Sequence, residues 1–430
     1  MSLNEAQQSV LKHLDTDSVV QFLAELVEVP SSTGHELGAA TLIQERLSAS
    51  GIDARLQHFD EDRANVIATL HGRGNGPTLM LNGHLDTSYT GYEPQLEGPG
   101  YKNKAVIVDD QWMYGNGAHN MKNALASYVG VMEAIARSGV ELAGDVVLAG
   151  VAGEIERAPS PYGDHVGPEY EGFGTGTSYA LSHGLDADMC ILGEPTANTV
   201  GLSNLGVNWV RLSTSGTMAH TQHAETAVNA IYQMLKVIRR LEEWMPQYRD
   251  RYALDGIKPA CDITAVQGGW PWRVSRTPVY CDIFLCIRTT PGVRTTTVMR
   301  ELDEVVRELE EDDPSLDIST EFYVSHQASE IAADEPVVQA VHRNHEAIVG
   351  EEPEYRRRTA YMDSSALNAH GIPTVVYGPS GRLNTGVDDR GWSPQQGEHI
   401  NLEDLAQGTR VVAAATVDIC DSADASVLRG

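Results

Sequence analysis

Cysteine is scarce in this chain: five residues among 430, at positions 190, 261, 281, 286 and 420. With no Cys-x-x-Cys pair among them, they fit reduced thiols in a cytoplasmic protein rather than a disulfide framework. Basic residues are few as well. Lys and Arg number 31 against 60 Asp and Glu, a formal net charge of −29, so neither nucleic acid nor an anionic membrane is expected as a partner. An anionic small molecule would be repelled at long range, and its site would need local positive groups. No apolar run approaches the roughly 18 residues of a membrane span. The opening segment MSLNEAQQSVLKHLDTDS has no apolar stretch flanked by basic residues, so no signal peptide is expected.

What remains reads as an ordinary globular chain, 41% hydrophobic and 21% charged, long enough for two domains. Over the first two hundred residues, short apolar runs (NVIATL, TLMLNGHLD, GDVVLAGVAGE, DADMCILGEP) alternate with segments of helical spacing (ELGAATLIQERLSAS, KNALASYVGVMEAIARSG). The alternation predicts an α/β sheet flanked by helices, with ligands beyond the carboxyl ends of the strands. From about Gly206 the texture changes. Two strand-like runs and two amphipathic helices predict a compact α+β insert, after which the first texture returns. The expected division is a catalytic domain over 1–204 and 324–430, interrupted by a lid domain over 205–323.

The chemistry-bearing residues are a histidine and several carboxylates at predicted strand ends. His84 and Asp86 lie two apart on an extended segment, so they share a face. That spacing suits a metal-binding imidazole oriented by a carboxylate, and equally a turn salt bridge. Glu154, after VLAGVAG, is a candidate general base, and Glu194 stands at the mouth of the apolar run MCIL. Between them, YGNGAHNMKNALASY (Tyr114–Tyr128) joins a glycine-containing loop to a helix. The loop could hold a phosphate, hold a metal or simply turn; it lacks the Gly-Lys-Ser/Thr that would favour phosphate.

These segments, together with GEIE, TSGTMAHTQHAETAVNAI, IRTTPG, YMDSSAL, HGIPTVVYGP and GEHINLEDL, run in order along nearly the whole chain. The set resembles the metallopeptidase and deacylase family that contains carboxypeptidase G, acetylornithine deacetylase and succinyl-diaminopimelate desuccinylase. The resemblance implies a zinc-peptidase-like catalytic domain, with a mixed sheet flanked by helices, interrupted by a lid that often makes the dimer contact. Carried over by motif, His84 and Glu194 are metal ligands, Asp86 orients His84, and Glu154 takes the proton of the attacking water. The loop position that usually carries a metal-bridging Asp reads Asn120, and the carboxylate that usually follows the base reads Ile155. His399 matches the family's last metal-binding histidine, and Glu156 is too far along to replace the lost carboxylate without a backbone bend.

Both departures fall on the second metal. The expectation is therefore one weakly held divalent transition metal per chain, Mn²⁺ or Zn²⁺, with His84, Asn120 and Glu194 as ligands and His399 free to touch substrate. In the lid, His220 matches a histidine that reaches an active site, often a neighbouring subunit's, so a homo-oligomer paired through the lid is implied. Arg288 matches a common lid arginine. Trp270, Trp272, Arg273 and Arg276 crowd into GGWPWRVSR, which reads either as a packed turn or as a flat cationic wall for an aromatic carboxylate. The stripped site resembles that of an aminohydrolase acting on an aromatic amine carboxylate, with 5-nitroanthranilate going to 5-nitrosalicylate and ammonia. The alternatives are an amidase, deacylase or carboxypeptidase acting on an N-acyl amino acid, and a non-catalytic binding relative.

Overall fold

The computed structural model describes residues 3–159, 169–357, 359–378 and 396–422. The chain divides into two compact units: residues 1–203, 330–358 and 362–430 form the first, and residues 204–329 with 359–361 form the second.

The first unit is built on an eight-stranded mixed sheet. At its centre lie three parallel strands, Val146–Val151, Leu79–His84 and Met189–Leu192, in that spatial order. Their side chains alternate between two apolar cores, as the period of a strand requires. Leu79, Leu81, Val146, Leu148, Met189 and Ile191 enter the larger core, with helices Thr16–Glu28, Lys122–Ser138 and Leu402–Cys420. Met80, Val147, Ala149, Val151 and Cys190 enter a smaller one, against Ala180, Leu181 and Leu367. Strands buried on both faces read as continuous apolar runs, which is why they stood out in the sequence. The helix ends follow local chemistry too. Asn401 accepts from the N–H groups of Glu403 and Asp404 at the start of Leu402–Cys420, and Gly139, at φ +72°, closes Lys122–Ser138.

The second unit is a four-stranded antiparallel sheet ordered Cys261–Gly268, Tyr280–Thr289, Gly206–Ser215, Ile318–His326. Helices Ala230–Arg251 and Thr295–Asp312 pack on it through Met234, Val237, Leu241, Val298 and Leu302. Two of these strands correct the two-strand expectation. Cys261–Gly268 is an edge strand with a single buried residue, Cys261, so its sequence lacks an apolar signature. Ile318–His326 pairs with Gly206–Ser215 as far as His326, so the second unit continues past the expected return at 324.

Candidate metal centre

Register on the three central strands assembles the site. His84 sits opposite Val151 on one side, and Asn82 sits opposite Leu192 on the other. Continuing past those strand ends, the chain delivers Glu154 and Glu194 to either side of His84. The three residues are 1%, 5% and 5% exposed. His84 Nε2 lies 3.7 Å from Glu154 Oε2 and 3.7 Å from Glu194 Oε1, and 3.2 Å from Asn120 Oδ1. Asn120 comes from the loop before helix Lys122–Ser138, so a fourth element closes the site.

The imidazole is oriented from behind. His84 Nδ1 lies 2.9 Å from the main-chain oxygen of Asp86. A carbonyl only accepts, so Nδ1 carries the proton, which leaves the Nε2 lone pair available to a cation. The Asp86 carboxylate lies farther from Nδ1, at 3.5 Å, and does a second job. It accepts the N–H groups of Glu154 (2.9 Å) and Ile155 (3.1 Å) and the hydroxyl of Thr33 (2.8 Å). The expected orienting role of Asp86 therefore divides: its carbonyl holds the histidine, and its carboxylate holds the loop bearing Glu154.

The electrostatics ask for a cation. Burial, and then the charge of Glu194, push Glu154 well above the usual carboxylate range. Burial opposes ionisation of Asp86 as well, but the hydrogen bond and charge of His84 outweigh it and its pKa is lowered. Burial alone would depress His84, yet Asp86, Glu154 and Glu194 together hold it well above its usual value. A further buried acid, Asp363, is pushed up to about 7 by burial, although Thr177 donates to it at 2.7 Å. These acids repel one another unless a positive charge, a proton on His84 or a bound cation, sits among them. One nitrogen and several oxygen donors suit a divalent transition ion without choosing among Mn²⁺, Fe²⁺, Co²⁺ and Zn²⁺. Among the described residues, His84, Glu154 and Glu194 are the one group of at least three His, Cys, Asp or Glu whose ligand atoms lie within 4.8 Å of one another.

His399 begins the short strand His399–Asn401, paired with Trp112–Tyr114. Its ring stacks on Tyr114 at 4.7 Å, its Nδ1 faces Gly397 O, and burial lowers its pKa. It is not part of the cluster of His84, Glu154 and Glu194. His220, Arg288, Trp272 and Arg273 all belong to the second unit. His220 is exposed, and its Nδ1 accepts from Gln222 N at the start of a 3₁₀ turn. Its segment bridges to Arg276, which brings it beside the tryptophan–arginine stretch. Arg288 lies on the strand Tyr280–Thr289, where its carbonyl accepts the Tyr248 hydroxyl. Trp272 is 76% exposed and Arg273 is exposed beside it. The rings of Trp270 and Trp272 are 6.0 Å apart and tilted by 32°, a short turn rather than a coplanar wall.

Three features at the site leave no local signal in the sequence: Thr33 on Asp86, Asp363 near the cluster, and Glu398. The last accepts from the N–H groups of His119 (3.2 Å) and Asn120 (3.0 Å). Asp363 and Glu398 do lie within motifs quoted above, YMDSSAL and GEHINLEDL.

Residues 80–418 match the model of peptidase family M20/M25/M40. A protein named "Probable succinyl-diaminopimelate desuccinylase" from Staphylococcus epidermidis is 21% identical over 391 residues, covering 85% of this chain and 91% of that protein. Among solved structures, a tripeptidase from Staphylococcus aureus superposes with a TM-score of 0.69 at 18% identity, covering 97% of this chain and 100% of its own. A dinuclear metal-binding M20 peptidase from Bacillus subtilis gives 0.62 at 15% identity, covering 94% and 98%. These two likenesses show the same fold.

Proposed function

This chain belongs to peptidase family M20/M25/M40, whose metallohydrolases cleave carbon–nitrogen bonds, and from that premise we propose that it hydrolyses the amide of a small N-acyl amino acid or short peptide at a single-metal site. The observation that carries the reading is the buried convergence of His84, Glu154 and Glu194 at adjacent strand ends. His84 and Glu194 would hold a divalent ion, with the amide oxygen of Asn120 beside them. When bound, the ion supplies Lewis-acid polarisation of the substrate and of water. Glu154 takes the proton of the attacking water and returns it to the leaving nitrogen. A carboxylate whose pKa is raised by burial is suited to both steps. Asp86 keeps it aimed through its two N–H contacts. The distances do not by themselves distinguish Glu154 from Glu194, since both lie 3.7 Å from His84 Nε2; the family motif favours Glu154 as the base.

A second reading has its own support. Asn120 and Ile155 stand where the resembling family carries carboxylates for a second metal. A substrate that stores its own transition-state charge needs less from the protein. An aromatic amine with a nitro group para to the nitrogen does so: water adds at the carbon bearing nitrogen, the nitro group holds the charge, and ammonia leaves. 5-Nitroanthranilate is the corresponding substrate. A screen of N-acyl amino acids, dipeptides and substituted anilines, each with several divalent metals, separates the two. Turnover of amides alone supports the first reading, turnover of the nitroaniline carboxylate alone supports the second, and turnover of neither refutes both.

Assembly is assigned to the second unit. Its edge strand Cys261–Gly268 leaves Val266 67% exposed, and helix Ala230–Arg251 exposes Ile231, Tyr232 and Leu235, an apolar surface of the kind a second copy covers. A fully active monomer by light scattering would refute this. Among the described residues, no helix is long and apolar enough to cross a membrane.

A further inference from the structure

Glu398 has no part in the chemistry above, yet it is buried to 5% exposure and specifically placed. Its Oε2 accepts two consecutive main-chain N–H groups, those of His119 and Asn120. Asn120 is the residue whose Oδ1 reaches to 3.2 Å from His84 Nε2. The glutamate's own segment is fastened on both sides. Its N–H donates to Gly100 O at 3.2 Å, and its carbonyl accepts Gly115 N–H at 3.2 Å. The two segments run so close that a Cβ on Gly100 would lie 2.2 Å from the Glu398 nitrogen. The far side of the loop is held by Asn123, whose Nδ2 donates to the carbonyls of Ala118 (2.8 Å) and His119 (2.6 Å). With its N–H groups on one carboxylate and its carbonyls on one amide, the peptide before Asn120 has little freedom to rotate.

A neutral amide oxygen attracts a cation less than a carboxylate does. Its contribution therefore depends on being aimed before the ion arrives. We propose that Glu398 is a positioning residue of the metal centre: by accepting the N–H groups of His119 and Asn120, it points the Asn120 amide oxygen at the place of the ion beside His84. The proposal rests on the reading that His84 and Glu194 hold a metal.

Calorimetric titration of metal-stripped, full-length protein with Co²⁺, with the visible spectrum of the Co²⁺ form, tests it. Both N–H groups converge on one oxygen, so Glu398→Gln keeps the acceptor and should bind Co²⁺ with wild-type affinity and spectrum. Glu398→Asp keeps the charge but falls one methylene short. It should bind about 10–100-fold more weakly, the usual cost of losing a partner that orients a ligand, with a changed spectrum. In an Asn120→Ala background the same Glu398→Asp change should cost nothing further. The proposal is overturned if Glu398→Asp binds as wild type does, or if its penalty persists undiminished without the Asn120 side chain. Should Glu398→Asp not fold, a tenfold or greater loss in folded Glu398→Gln, of the size a lost orienting partner brings, overturns it alone, because charge rather than aim would then be what matters. Wild-type protein that takes up no Co²⁺ overturns the metal reading itself, an outcome distinct from any difference among variants.

Discussion

The carboxylate of Asp86 accepts the main-chain N–H of Glu154 at 2.9 Å. Because Asp86 also offers its carbonyl to His84 at 2.9 Å, one residue sets both the imidazole and the proposed base. The segments that follow two adjacent parallel strands are thereby hydrogen-bonded to each other.

Glu154 and Glu194 should separate on mutation to Gln. Glu154→Gln is nearly isosteric, so fold and metal uptake should survive while kcat falls by about 10² to 10⁴, the contribution of general acid–base help. Glu194→Gln should instead lose the metal. Calorimetry and steady-state kinetics on the two variants check the assignment, and the opposite pattern would exchange the two roles.

Gly153, immediately before Glu154, has φ +69°, and a Cβ there would lie 2.2 Å from Arg63 Nη2. Arg63 cannot move aside easily. It pairs with Glu36 at 2.9 Å and donates to Glu171 O at 2.9 Å. Gly153→Ala should thus cost about 1–2 kcal/mol for the left-handed backbone, with the clash in addition, and displace Glu154. A thermal midpoint several degrees lower, with kcat falling more than KM rises, is expected; an unchanged midpoint would refute the packing described.

How far these features could be read from sequence follows from how local they are. His84, Glu154 and Glu194 follow apolar runs, and strand ends in an α/β sheet are where such residues gather. Their elements were legible because both faces of each strand are buried. Glu398 reaches Asn120 across 278 residues, and Thr33 reaches Asp86 across 53. No periodicity records a contact of that kind. The second unit's strands Cys261–Gly268 and Ile318–His326 were missed because each is largely solvated along one face. The tryptophan–arginine stretch is an exposed turn with tilted rings, because crowding in sequence does not fix how rings face one another.

Asp282, on a strand of the second unit, is 4% exposed. Burial, and then the charge of Glu321, raise its pKa from 3.8 to about 6. A folded value above the unfolded one means that stability is fully present below about pH 4 and is lost as pH rises through about 6. Asp282→Asn imitates the protonated form. It should raise the thermal midpoint at pH 8 and leave it unchanged near pH 3.5, where wild type is already protonated. An equal effect at both values would refute the assignment.

His220→Ala distinguishes the two substrate readings. If an amide is hydrolysed and His220 stabilises the developing oxyanion, the loss should match that of Glu154→Gln, since one such donor is worth about 10²–10³ in kcat. If a nitro-substituted ring holds the charge, the loss should be far smaller. Kinetics of both variants on one confirmed substrate give the answer.

If His84 and Glu194 hold a single metal, with Asn120 and Ile155 at the positions where the resemblance places two carboxylates, the protein has no second tight metal site. Elemental analysis of protein reconstituted with excess Mn²⁺, Co²⁺ or Zn²⁺ and then freed of unbound ion tests it most directly. No more than one ion per chain is expected, removable by a chelator and restored by more than one metal. Two tightly held ions per chain would contradict it.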